Sequence, residues 1–165
     1  MMWYKEVKRD EVQFQSLVGM SVLEFEWLHN LYAVEWEHYI SRYTLTGAER
    51  TRAHRIRKDS QLPTTEDQLL FILHYLKAAP LQQHHGTAYG MTQPLVNLWV
   101  HLLLKLIRRA LQKDGHLPQR RASAINALLQ KVEEVRIDGT ERRIQRPADY
   151  EEQQEHYSGK KKTIR

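Results

Sequence analysis

The sequence predicts a mainly α chain, a helix-turn-helix bundle followed by a short β segment, and three observations carry that prediction. Apolar residues recur at helical spacing in stretches beginning near Ser21, Thr64, Thr92 and Ser123, separated by Gly and Pro. Between Thr64 and Leu111 the order is helix, break, short helix, Gly-containing turn and longer helix. At Val135-Arg136-Ile137-Asp138 the period switches to two, ahead of Gly139.

Taken in order, Ser21 and Glu24 form a capping box, and Leu23, Trp27, Leu28, Leu31, Tyr32 and Tyr39 then follow at helical spacing to about Arg42. Gly47 closes that segment, and the basic run Arg50, Arg52, Arg55, Arg57 and Lys58 reads as a linker ahead of Pro63. A second helix starts at Thr64 or Thr65, where Glu66 and Asp67 suit the positive end of its dipole, and Leu69, Leu70, Ile72, Leu73 and Leu76 carry it to Ala79. Pro80 stops it. A short helix spans about Gln82 to Tyr89, and Gly90 supplies a sharp turn. Thr92 is the natural N-cap of the next helix, with Pro94 in the first turn, where a missing N–H costs nothing. After Gly115 and Pro118, Ser123 to Glu133 reads as a further helix, and a short strand is expected at about Glu134 to Thr140. These boundaries divide the chain into an N-terminal helical region (1–44), a basic linker (45–63), a helix-turn-helix domain (64–114) and a connecting helix with the β segment (115–165).

Composition narrows the function. With 165 residues, 41% hydrophobic and 27% charged, the chain has enough material for one compact domain or two small ones. The absence of cysteine excludes disulfides, thiolate zinc sites, iron-sulfur clusters and thiol nucleophiles. No window approaches the ~20 apolar residues of a membrane span, and charges run through the first twenty positions, unlike a signal peptide. A soluble, cytoplasmic protein without a membrane partner is expected. Residues 1–44 hold four basic against seven acidic side chains, a net of −3, whereas the remainder holds 21 against 13, a net of +8. Such asymmetry suggests a polyanion partner for the second part.

On a 100° wheel of the third long helix, Leu95, Leu98, Trp99, Leu102, Leu103, Leu106 and Ala110 share one face and Gln93, Asn97, His101, Lys105 and Arg108 the other. A helix so placed enters a DNA major groove with its N-terminal turns against base edges. Thr92, Gln93 and Asn97 lie there, and the two amides can each make the paired bonds that adenine offers. Lys105 and Arg108, farther along, suit phosphates, as do Arg50 to Lys58. The same strip also suits the solvated side of any bundle helix, and the same basic run a solvated loop.

Other features read as structural. His84 and His85 diverge by about 100° on a helix and make a poor chelating pair. Trp27, Trp36 and Trp99 are expected in the core, and Glu35 and Glu37 on a solvated face. Asp138 could hold a divalent metal at a strand edge, yet two-metal chemistry needs several carboxylates converging on ions ~3.5–4 Å apart. Alone, Asp138 reads as a turn residue.

From Val135 the sequence runs Val-Arg-Ile-Asp-Gly-Thr-Glu-Arg-Arg-Ile-Gln-Arg-Pro-Ala-Asp-Tyr, with Gln153 and Tyr157-Ser-Gly-Lys-Lys-Lys beyond. It resembles the opening of the catalytic domain of bacterial insertion-sequence transposases of the DDE superfamily. The preceding Leu62-Pro-Thr-Thr-Glu-Asp-Gln-Leu-Leu-Phe-Ile-Leu-His-Tyr-Leu-Lys, with Tyr89-Gly-Met-Thr-Gln-Pro and Asn97-Leu-Trp, resembles the helix-turn-helix domain of the same family. Together the resemblance covers about residues 20–162.

That resemblance implies an incomplete ribonuclease-H-like α/β domain whose first strand is the β segment. It makes Asp138 the first of three metal-binding acids, the catalytic residue present here. In complete members two Mg2+ ions activate water and then a DNA 3′ hydroxyl; none is expected to bind tightly to this chain. Arg143 departs from the family's usual proline. Lys162 leads to Thr163-Ile164-Arg165 where members continue through a His-Thr stretch, so a truncated member is expected, through a frame change at the lysine run that is either programmed to make a longer fusion or accidental in a decayed element. The implied partner is double-stranded DNA, the terminal inverted repeats of the element, in the bacterial cytoplasm, with a homodimer or association with full-length transposase as the protein contact. The leading reading is a DNA-binding part of a transposase that does not cut alone. The alternatives are a stand-alone helix-turn-helix regulator or inhibitor of transposition, and a helical protein-interaction domain without DNA affinity.

Overall fold

The computed structural model describes residues 2–55, 60–118, 122–130, 148–155, 157–158 and 163–164. The chain is mainly α and divides into two units, Met1–Pro118 and Gln119–Arg165.

The first unit opens with α1 (Tyr4–Val7) and α2 (Glu11–Val18). Asp10 caps α2 by accepting from the Gln13 N–H at 3.0 Å, and Gly19, at φ +78°, ends it in a left-handed turn that side chains disfavour. Next comes α3 (Val22–Ile40), opened by the expected capping box: the Glu24 N–H donates to Ser21 Oγ at 3.3 Å, and the Ser21 N–H donates to Glu24 Oε2 at 2.8 Å. Tyr4, Phe14 and Phe25 tie the first three helices together. Tyr4 and Phe25 stack at 4.8 Å, and Phe14 meets Phe25 edge-on at 5.3 Å.

At the centre lies α4 (Thr65–Ala78), which packs against α1, α2, α3 and the later α6 (Gln93–Lys113). Enclosure on so many sides accounts for its sequence, because every residue from Asp67 to Leu73 is buried and the run is apolar where a surface helix would alternate. Each fully buried Leu, Ile or Phe in it stabilises the fold by roughly 1.5–3 kcal/mol relative to exposure. The two polar members are bonded. Asp67 accepts from the Tyr4 backbone N–H at 2.9 Å and from the Thr64 hydroxyl at 2.8 Å, while Gln68 accepts from the buried Tyr32 hydroxyl at 2.6 Å. Between α4 and α6 sits α5 (Gln82–Tyr89), whose bounds match those expected from Pro80 and Gly90.

Two expectations for α3 are corrected. Trp27 is 45% exposed, touching the His116 ring edge-on at 5.0 Å, whereas Trp36 and Trp99 are buried and stack at 5.7 Å. Two apolar rows run along α3, and packing selects Phe25, Leu28, Tyr32, Trp36 and Tyr39, leaving Leu23 and Trp27 a quarter-turn or more away. Glu35 belongs to the selected row. It is buried rather than solvated, and its carboxylate forms an ion pair with Lys113 at the end of α6, while Glu37 is exposed.

The second unit contains α7 (Ala122–Leu129), α8 (Tyr150–Glu155) and a two-stranded antiparallel pair, β1 (Tyr157–Ser158) and β2 (Thr163–Ile164), registered Tyr157 to Ile164 and Ser158 to Thr163. The strand expected at Glu134 to Thr140 lies outside the described residues. Among the described residues no helix is long and apolar enough to cross a membrane.

Candidate nucleic-acid interface

The link between α5 and α6 depends on two glycines. Gly90 adopts φ +66°, a left-handed conformation that reverses the chain within a few residues. Gly86 permits close approach: its carbonyl accepts from the Met91 N–H at 2.8 Å, and a Cβ there would lie 2.5 Å from the Met91 carbonyl oxygen and 3.1 Å from Val96 Cγ2. Beneath them, His85 is buried among Phe71, His74, Tyr75 and Tyr89. Its Nε2–H donates to the Phe71 carbonyl at 3.1 Å, which fixes the tautomer and leaves Nδ1 buried without a partner. Burial, reinforced by the nearby His74, pushes the His85 imidazole down to about 4. The ring is therefore neutral and acts as an apolar anchor of α5 on α4.

With α5 so anchored, α6 turns its apolar side inward through Val96, Trp99, Val100, Leu102, Leu103, Leu106, Ile107 and Ala110. Gln93, His101, Lys105 and Arg108 are exposed, and Asn97 is half-buried among them. At 100° and 1.5 Å per residue, these five fall within an arc of about 120° and span about 22 Å of helix. Thr92 occupies the N-cap position with its side chain exposed, but its hydroxyl makes no capping bond. Proline at the second helical position removes one of the two N–H groups it could have accepted from.

The strip's first turn is ordered by a residue that sequence reasoning missed. Gln82, at the start of α5, accepts through Oε1 from Gln93 Nε2 at 2.8 Å and from Asn97 Nδ2 at 3.2 Å. Only its offset of eleven residues from Gln93 hinted at this, and that offset acquires meaning once the turn is known.

Of the basic run, Arg50 and Arg55 are not brought onto this strip. The Arg50 Nε–H donates to the Tyr43 carbonyl at 2.8 Å, and its backbone N–H donates to the Arg42 carbonyl at 2.8 Å, fastening the loop after α3. Arg50 and the exposed Arg55 border a cavity of about 720 Å³ floored by Trp36 and Trp99, on the opposite side of α6 from Gln93 and Asn97. His54, beside it, is held below the usual imidazole range by burial and by the Arg50 charge. Arg52 is exposed; Arg57 and Lys58 lie outside the described residues.

Asp138 also lies outside the described residues, and among the described residues no three His, Asp or Glu side chains converge to hold a metal ion. Comparison with protein-family models, with curated proteins and with solved structures returns no match.

Proposed function

We propose that the chain is the DNA-binding part of a DDE-type insertion-sequence transposase, recognising the terminal inverted repeats of its element through α6. The observation that carries the reading is the α5–turn–α6 unit, in which one side of α6 is committed to the core and the opposite side offers two amides followed by two cations. Amides near the N-terminal end suit base edges, and Lys105 and Arg108 suit the phosphates flanking the groove. The resemblance from Val135 onward supplies the finer fold, the start of a ribonuclease-H-like domain, and gives Asp138 the role of first metal-binding acid toward magnesium. End binding through α6 is the activity proposed here, and the resemblance gives no metal-binding role to an acid other than Asp138.

The compact unit formed by α1 to α6 favours a second reading, in which the chain occupies the same ends as a stand-alone regulator and inhibits intact transposase, pairing with it or with a second copy. The effect of added chain on transposition frequency separates the two.

The test of base reading compares substitutions along the strip. Asn97→Ala should cost about 1–3 kcal/mol of preference for the end sequence over random duplex, whereas Arg108→Ala should weaken binding to both alike. Gel-shift titrations at fixed salt give the two numbers. Equal losses from both changes would remove Asn97 from base reading.

A further inference from the structure

We infer that Gln82 is a positioning residue for sequence readout, holding the Gln93 and Asn97 amides in the orientation that addresses base edges; the inference rests on the proposed DNA reading. One oxygen, Gln82 Oε1, accepts from both neighbours, at 2.8 Å from Gln93 and 3.2 Å from Asn97, and so uses both of its lone pairs. Each donating carboxamide spends one of its two N–H groups on that oxygen. What remains on each is one N–H and the carbonyl oxygen, the donor-acceptor pair that matches adenine N7 and the N6 amino group. Where the N–H spent on Gln82 is the one trans to the carbonyl, the clamp removes the surplus donor and leaves the reading edge whole.

Position strengthens the case. Gln82 stands in the first turn of α5, an element fixed by the buried His85 and by the close Gly86–Met91 approach, so the acceptor is mounted on a rigid part of the fold. Gln93 is exposed and begins α6, where an unheld side chain would sample several rotamers and lose that freedom on binding DNA. Ordering the amides beforehand transfers that loss from binding to folding.

The test uses the full 165-residue chain and two duplexes, one selected by the wild-type chain from a randomised pool and a shuffled sequence of equal composition. Gln82→Met keeps the volume and removes the acceptor. It should lower the ratio of selected to shuffled affinity roughly 5- to 50-fold while leaving shuffled binding and the thermal midpoint unchanged. Gln82→Glu keeps an acceptor oxygen and should retain the ratio within about twofold, weakening both duplexes together through its charge. In a chain already carrying Gln93→Ala and Asn97→Ala, Gln82→Met should have no further effect. Independently of DNA, the side-chain amide resonances of Gln93 and Asn97 should shift in Gln82→Met. A ratio unchanged in Gln82→Met, or a Gln82→Glu chain that discriminates as poorly as Gln82→Met, would overturn the positioning role. Failure of the wild-type chain to select any duplex would instead overturn the DNA reading itself, and this inference with it.

Discussion

His85 shows how a single side chain can couple the stability of the α5–α6 unit to pH. Its ring is 1% exposed, its Nε2–H is bonded to Phe71, and Nδ1 has no partner to receive a second proton's charge. The folded chain protonates it only at about 4, against 6.5 for an ordinary imidazole, because burial disfavours the charge and His74 adds to that penalty. The unfolded chain therefore binds the extra proton first as pH falls. The stability associated with the neutral ring is fully present above 6.5 and drains away between 6.5 and about 4, at about 1.4 kcal/mol per pH unit and about 3 kcal/mol in all. Urea unfolding at pH 7.5 and at pH 4.5 should reveal this loss, and His85→Leu should remove most of it. A His85→Leu chain with the wild-type pH slope would mean that other groups carry the dependence.

The polar strip of α6 is positioned by the α5–turn–α6 unit, whose most exacting requirement is the contact at Gly86. Adding a Cβ 2.5 Å from the Met91 carbonyl oxygen forces backbone to move, since no flexible side-chain end can yield there. Gly86→Ala should cost about 1–3 kcal/mol despite alanine's better helix propensity, with the loss read as a lower urea midpoint at an unchanged slope. An unaltered or raised midpoint would show that α5 can shift without strain. Much of this unit was legible from sequence because Pro80, Gly90 and Pro94 punctuate it, and the strip of α6 follows from a 3.6-residue period. What the sequence did not disclose depends on partners far along the chain. The burial of Glu35 makes sense only beside Lys113, seventy-eight positions later, and Trp27 could not be assigned because α3 carries two apolar rows and tertiary packing selects one. Neither α1 nor α2 is marked by a long apolar period. Their order comes from aromatic contacts with Phe25 and from the Asp67 carboxylate. Of the candidate site, the polar strip of α6 was legible, whereas Gln82, which accepts from two of its amides, was not.

For the molecule as a whole, charge distribution sets how it would meet a duplex. Net charge is −3 over residues 1–44, so a duplex meeting the N-terminal helices first would be repelled and, on the proposed reading, the cations of α6 would meet it instead. On that strip Lys105 and Arg108 are the exposed cations, and Arg52 and Arg55 are exposed elsewhere. If two to four phosphates are neutralised, the logarithm of affinity should fall against the logarithm of salt with a slope of about −1.8 to −3.6. Lys105→Ala and Arg108→Ala should each bring that slope about one unit closer to zero, with base preference kept. Arg50→Ala should act differently, because its guanidinium fastens the loop after α3: stability should drop while the slope stays near the wild-type value. Fluorescence anisotropy between 50 and 300 mM salt measures all of these on one labelled duplex. A slope near zero, or no duplex binding at the lowest salt, would remove the electrostatic basis of the proposal and leave a helical protein-interaction domain as the better account of the chain.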